Sequence, residues 1–135
     1  MNILFFMTPK AICSYLYSDY SVRQALERMQ GYATLPILDR EGRYVASLSE
    51  GDLLWAVKNI CGMDLKKTEN TGIMEIQHRK DYAPVSVNTE MKDIIAKAVD
   101  QNFVPVVDDK ESFIGLVTRR AILQYCLDTY IREKK

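Results

Sequence analysis

The sequence predicts an α/β fold made of two copies of one β-α-β-β-α unit. Three observations carry that expectation. The chain repeats itself: Leu35-Pro36-Ile37-Leu38-Asp39 returns as Val104-Pro105-Val106-Val107-Asp108, each residue meeting its counterpart 69 positions later. Without a gap, the same offset sets Tyr44-Val45-Ala46-Ser47-Leu48-Ser49 on Phe113-Ile114-Gly115-Leu116-Val117-Thr118, and Leu53-Leu54 on Ile122-Leu123. Within each copy, helical apolar spacing alternates with short strand-like runs. Finally, hydroxyl residues and glycines stand where such helices should start and stop. A unit that occurs twice usually cannot bury its apolar face alone, so the two copies together make one domain.

In the first copy, Ser14 to Tyr17 reads as a short strand. Ser21 caps a helix, and Gln24 three residues later completes a capping box. Val22, Ala25, Leu26 and Met29 fall at i, i+3, i+4 and i+7, one apolar stripe, and Gly31 stops the helix. Thr34 to Asp39 is a buried strand, Arg40-Glu41-Gly42 a turn, and Arg43 to Leu48 the paired strand. Ser49 to Ile60 closes the unit as a helix with Leu53, Leu54 and Val57 inward. In the second copy Pro84 to Val87 is a strand, and Thr89 caps a helix carrying Met91, Ile94, Ile95, Ala98 and Val99. Val104 to Val107 and Phe113 to Val117 are strands joined by Asp108-Asp109-Lys110-Glu111. Thr118 opens a long final helix with Ile122, Leu123, Cys126, Leu127, Tyr130 and Ile131. Its basic end, Arg132, Lys134 and Lys135, suits the negative C-terminal pole of a helix.

Between the copies Gly62 to Lys80 is polar and irregular. The offset places its Ile73-Met74-Glu75-Ile76 on Leu4-Phe5-Phe6-Met7, so each copy begins with an apolar lead-in, and Lys10 meets Arg79 just after it. These alignments give repeat 1 over 1–61, a linker over 62–72 and repeat 2 over 73–135.

Composition narrows the function classes. Lys+Arg and Asp+Glu are both 18, so net charge is zero, which argues against nucleic acid as the main partner. Hydrophobic and charged residues make up 47% and 27%, ordinary for a globular fold of this length. Cys13, Cys61 and Cys126 are odd in number and widely spaced, which reads as three reduced thiols in a cytoplasmic protein. The apolar run Ile3 to Met7 ends at Thr8-Pro9-Lys10 after five residues. A signal core needs about 7–15 and a membrane span about 20, so neither is expected.

Catalysis finds few parts. His78 is the only histidine and is followed by Arg79 and Lys80, which disfavour further positive charge on it. There is no G-x-G-x-x-G and no phosphate-loop signature, and Asp108-Asp109 sits in an expected turn. No enzyme activity, no metal and no required cofactor are expected. The informative segment is Leu48-Ser49-Glu50-Gly51-Asp52, where a strand ends and a helix begins on a hydroxyl residue. A helix N-terminus offers free N–H groups and partial positive charge. Ser49 can cap its own helix or hydrogen-bond a phosphate oxygen. Asp52 can complete a capping box or accept the two hydroxyls of a ribose, as acidic residues do in dinucleotide folds.

The run G-Y-A-T-L-P-I-L-D followed by E-G-R-Y-V-A-S-L-S-E-G-D-L-L, inside a repeated strand-helix-strand-strand-helix unit, resembles the CBS (cystathionine-β-synthase) domain. Two such domains make a CBS pair, or Bateman module, and the resemblance covers nearly the whole chain. It implies two units packed sheet to sheet with approximate two-fold symmetry, and clefts between them that bind adenosine-containing ligands. It matches Ser49 and Asp52 to the family's phosphate-facing hydroxyl and ribose acid. In the second copy Thr118 keeps the hydroxyl, but Ala121 stands at the acid position after Arg119-Arg120. A methyl cannot hold ribose hydroxyls, so the two clefts should be unequal. Arg119 and Arg120 point about 100° apart on a helix, so at most one faces the cleft centrally; phosphate contact is expected of at least one, with surface solvation of both the alternative. The same matching adds Lys10, Ala11 and Ile12, then Tyr32, Ala33, Thr34 and Pro36. Tyr32 can stack on a base or cover the core edge.

These residues imply a regulatory module that binds AMP, ADP or ATP and signals to an effector protein the chain does not identify. K-A-I, G-Y-A-T and T-R-R also resemble a group of stand-alone bacterial CBS proteins that bind cyclic di-AMP. A ligand-free dimerisation module is the remaining alternative. Homodimers through the helices are implied, with Leu53, Trp55 and Ile122 as exposed apolar candidates.

Overall fold

The computed structural model describes residues 2–77 and 82–134. The expectations that rest on His78, Arg79 and Lys80 lie outside the described residues. The chain divides into two compact units, Ser14–Asp81 on one side, and Met1–Cys13 with Tyr82–Lys135 on the other.

In the unit Ser14–Asp81, β2 (Leu16–Tyr17) runs parallel to β3 (Thr34–Leu38), which pairs antiparallel with β4 (Tyr44–Ser49). Helix α1 (Val22–Arg28) starts on Ser21, whose hydroxyl accepts from the Gln24 amide while the Gln24 side chain accepts from the Ser21 amide. The expected capping box is therefore present. Val22, Ala25 and Met29 from its stripe are buried together with Leu16, Leu35, Ile37, Leu48 and, from α2 (Glu50–Asn59), Leu53 and Ala56. Pro36 lies opposite Ser47 and is buried. The Glu50 amide donates to the Ala33 carbonyl, which fixes the odd residues of β3 as the hydrogen-bonded ones. The missing N–H of Pro36 therefore faces away from β4, on the side where β2 begins only opposite Ile37.

In the other unit the sheet order is β1-β7-β6-β5, with β1 (Thr8–Pro9), β5 (Val85–Ser86), β6 (Phe103–Val107) and β7 (Phe113–Thr118). Helices α4 (Met91–Lys97) and α5 (Arg119–Lys134) complete it. Its core joins Val85, Ile94, Val104, Val106, Val117 and Ile122 to Ile3 from the N-terminal lead-in.

The lead-ins are thus exchanged between the copies. Residues 1–13 belong with the second copy, and β1 pairs with β7 through Thr8↔Leu116 and Pro9↔Gly115. The lead-in of the second copy belongs with the first: Ile73 and Ile76 are in its core, and the Ile73 amide donates to the Tyr20 carbonyl at 2.9 Å. Gly115 is where this matters most sterically. A Cβ there would overlap the Thr8 carbonyl oxygen and stand 2.8 Å from Cγ and Sδ of Met7. The aligned residue of the first copy, Ala46, sits on β4, which has no such strand beside it among the described residues. Gly115→Ala should cost about 1–3 kcal/mol by overpacking, read as a lowered urea midpoint. A change below about 0.5 kcal/mol, the range of an indifferent surface substitution, would mean β1 is not seated there.

The two hairpins are built alike. Asp39 Oδ1 accepts from the amides of Glu41 and Arg43, and Asp108 Oδ1 from those of Lys110 and Ser112, all at 2.9 Å. The Arg43 amide, with help from its guanidinium, holds the Asp39 carboxyl below its ordinary value. Gly42 takes a left-handed φ of 86°, and in the second hairpin Glu111 takes the same region at 64°, a conformation that costs a residue with a Cβ about 1–2 kcal/mol.

Some expectations are corrected. Thr89 does not cap α4: the cap is Glu90, with no side-chain bond, because the Thr89 hydroxyl is turned back to accept from the Ser86 amide. The segment after Gly62 is less irregular than expected. It holds a short helix, α3 (Leu65–Thr68), capped by Asp64, whose carboxylate accepts from the Lys66 amide. Leu54 is 58% exposed rather than inward, since α2 turns its neighbour Leu53 to the core. For the same reason Leu53 and Ile122, each 2% exposed, are not surface residues; the exposed positions are Leu54, Leu123, Leu127, Tyr130 and Ile131.

Candidate functional site

Among the described residues, a buried side-chain oxygen without a hydrogen-bond partner lies at the start of α2. β4 ends at Ser49, opposite Thr34. Ser49 keeps an extended backbone, and its hydroxyl accepts from the Asp52 amide at 3.1 Å. In return Oδ2 of Asp52 accepts from the Ser49 amide at 2.9 Å. The S-x-x-D segment is therefore a capping box, one of its two expected roles. That box uses one carboxylate oxygen. Asp52 is 6% exposed, and its Oδ1 has no hydrogen-bond partner among the described residues. A buried acceptor left unsatisfied costs about 1–3 kcal/mol, and buried polar groups in folded proteins are otherwise nearly all satisfied.

Asp52 lines a cavity of about 570 Å³. Its helical wall is Asp52, Trp55, Ala56, Asn59 and Ile60, one face of α2 at i, i+3, i+4, i+7 and i+8, and its other side is Ile76 and Gln77. The site thus offers a carboxylate oxygen, an indole, two side-chain amides and an apolar floor. Trp55 is half-exposed, and Lys58 Nζ lies 5.2 Å from its ring centroid. Apart from Asp52, none of these lining residues is an expected nucleotide contact, and Trp55 is expected instead at a dimer-forming helix face. The α2 residues share the helical spacing that starts at Asp52, a signal the chain does contain; Ile76 and Gln77 carry none.

The other candidates of this unit surround the junction of β3, β4 and α2 without lining the cavity. Ala33 is exposed and receives the Glu50 amide, Thr34 faces Ser49 across the strands, and Pro36 is enclosed in β3. Tyr32 is 46% exposed, and its hydroxyl accepts from the Ser14 hydroxyl at 2.9 Å.

The remaining candidates belong to the second unit. Lys10, Ala11 and Ile12 form a 3-10 turn against β7; Lys10 is half-buried, Ala11 and Ile12 exposed. The Thr118 hydroxyl accepts from the Ala121 amide at 3.1 Å, the half of a capping box that needs no acid. Arg119 is half-buried, with Nε donating to the Ala98 carbonyl at 2.8 Å, whereas Arg120 is exposed. Both line a shallow depression of about 380 Å³ with Leu123, Gln124 and Leu127.

A second cavity, about 610 Å³, lies in this unit against α5, lined by Phe5, Phe6, Ala121, Gln124, Tyr125, Asp128 and Arg132. The repeat offset carries the α2 wall onto it: Asp52 to Ala121, Trp55 to Gln124, Ala56 to Tyr125, Asn59 to Asp128. Four positions of the α2 wall thus recur, with other residues, in the wall of the second cavity. Burial pushes the Cys13 thiol up from its ordinary value. Among the described residues no cluster of histidine, cysteine or acidic side chains could hold a metal ion. No described helix is long and apolar enough to cross a membrane.

The comparisons agree with this architecture. The family model for the CBS domain matches the sequence twice, over residues 3–59 and 73–128. No curated protein sequence matches significantly. Among solved structures, a CBS domain protein from Streptococcus pneumoniae superposes with a TM-score of 0.83 at 24% identity, covering 94% of this chain and 87% of that one. The Listeria monocytogenes CbpB protein in complex with cyclic di-AMP gives 0.83 at 23% identity, covering 96% and 97%. CBSX2 in complex with AMP gives 0.74 at 24% identity, covering 96% and 98%.

Proposed function

Since this chain belongs to the CBS-domain family, with two CBS domains in tandem, we propose that it is a regulatory module that binds an adenosine-containing nucleotide at Asp52. One observation carries the reading: the buried, unpartnered Oδ1 of Asp52 in the wall of the first cavity. A ribose hydroxyl is a donor of the right kind to satisfy it, and Ser49 holds the carboxylate in place from the other side. Trp55, Asn59 and Gln77 add a flat apolar surface and amides of both polarities beside it, the mixture small-ligand sites use.

Proteins of the same fold crystallised with cyclic di-AMP and with AMP make those two ligands, with ADP and ATP, the compounds to try. Cyclic di-AMP is the second reading. The module is regulatory rather than catalytic in this reading, and its output is a changed contact with an effector protein. The exposed stripe Leu123, Leu127, Tyr130 and Ile131 on α5 supports self-association of the chain through its helices.

Thermal melting with AMP, ADP, ATP and cyclic di-AMP tests the proposal. A nucleotide at 100 times its Kd should stabilise the folded chain by about 2.7 kcal/mol. If none of the four raises the melting temperature at millimolar concentration, nucleotide binding at Asp52 is wrong.

A further inference from the structure

We propose that Tyr125 closes the second cavity to a nucleoside, so that the chain binds one nucleotide and not two. The inference rests on the reading of Asp52 above and adds a second determinant to the missing acid at Ala121. The observation behind it is the match between the two cavity walls. In the first, Asp52 is followed one turn later on the same helical face by Ala56, which leaves the floor beside the carboxylate open. In the second, Ala121 is followed by Tyr125. Tyr125 lines the second cavity at the repeat position where the first cavity has the methyl group of Ala56.

The ring is held there. Its centroid lies 5.2 Å from that of Phe6 at an interplanar angle of 75°, an edge-to-face contact. Phe6 in turn packs against the core of its unit. The second cavity, about 610 Å³, is no smaller than the first, about 570 Å³, so exclusion comes from what stands beside position 121 and not from total space. Its one carboxylate has moved seven residues along α5 to Asp128, about 10 Å at the rise of an α-helix. There Oδ1 accepts from the Gln124 amide at 2.9 Å. Restoring the acid at 121 would therefore not restore the site, because the ring remains in the way.

Ala121→Asp is a benign probe. The Thr118 hydroxyl already accepts from the amide of residue 121, and the new carboxylate would complete the capping box as Asp52 does for Ser49. Titration calorimetry with AMP and with cyclic di-AMP should give one site per chain for the parent, one for Ala121→Asp, and two for Ala121→Asp/Tyr125→Ala. Ala121→Asp/Tyr125→Phe, which keeps the ring, should stay at one. If the alanine variant does not fold, Tyr125→Val keeps a smaller apolar contact with Phe6 and is read the same way. Two sites in the parent, two in Ala121→Asp alone, or no gained site in the double variant each overturn the proposal. A parent that binds nothing counts against Asp52 instead; the double variant then still decides, a gained site supporting the role of Tyr125 and none overturning it.

Discussion

Removing residues 1–13 should unfold the second CBS domain and leave the first nearly as stable as before. The segment supplies Ile3, which is 2% exposed, and β1, which pairs with β7 at Thr8 and Pro9. Losing a buried isoleucine alone costs about 2–5 kcal/mol. Phe6 and Met7, which pack on the same core, and the uncovered edge of β7 add to that. A small domain has about 5–15 kcal/mol in all, so the sum exhausts it. The first domain keeps its own exchanged lead-in, Ile73 and Ile76. Hydrogen exchange reads the two separately: protection should vanish at Val104, Val106 and Val117 and persist at Leu35, Ile37 and Leu48. Undiminished protection in both sets would show that the N-terminal segment is an accessory to the second domain and not part of its core. A synthetic peptide of residues 1–13 added in trans should return the lost protection.

Asp52→Ala should weaken nucleotide binding by about 10- to 150-fold without lowering the melting temperature of the free protein. A hydrogen bond to a charged group contributes about 1.5–3 kcal/mol, which sets the range for affinity. Stability responds differently because two terms oppose. The Ser49 amide loses its acceptor Oδ2, part of a cap whose loss costs about 1 kcal/mol. The unsatisfied Oδ1 disappears as well, relieving about 1–3 kcal/mol. Asp52→Asn, which can keep an acceptor toward Ser49 but no charge, should fall between parent and alanine in affinity. A dissociation constant within twofold of the parent for Asp52→Ala would remove the carboxylate from the site.

What the sequence made legible is what depends on neighbours along the chain. The capping boxes at Ser21 and Ser49 are three-residue patterns, and both appear. The strands of both hairpins follow from the repeat register, since Pro36 and Pro105 occupy the same slot in β3 and β6. Errors arose where a residue had two local options. The Thr89 hydroxyl had a helix to cap and a turn to close, and the Ser86 amide won. Leu53 and Leu54 are adjacent and equally apolar, and only the rotation of α2 against its sheet decides which is buried. The exchange of lead-ins was beyond reach altogether: Leu4 to Met7 align with Ile73 to Ile76, but alignment says which residues are equivalent and not which copy each one joins. The site divides in the same way. Asp52 was visible as a residue type at a spacing, whereas its orphaned oxygen and the Phe6–Tyr125 contact exist only once the chain has folded.

Trp55 has a practical consequence. It is the only tryptophan of the chain, and it lines the Asp52 cavity with Lys58 above its ring. Indole emission therefore has a single address in this molecule. The indole emission of the unlabelled protein is a signal from the Asp52 cavity, so an optical titration of it and a calorimetric one count different things.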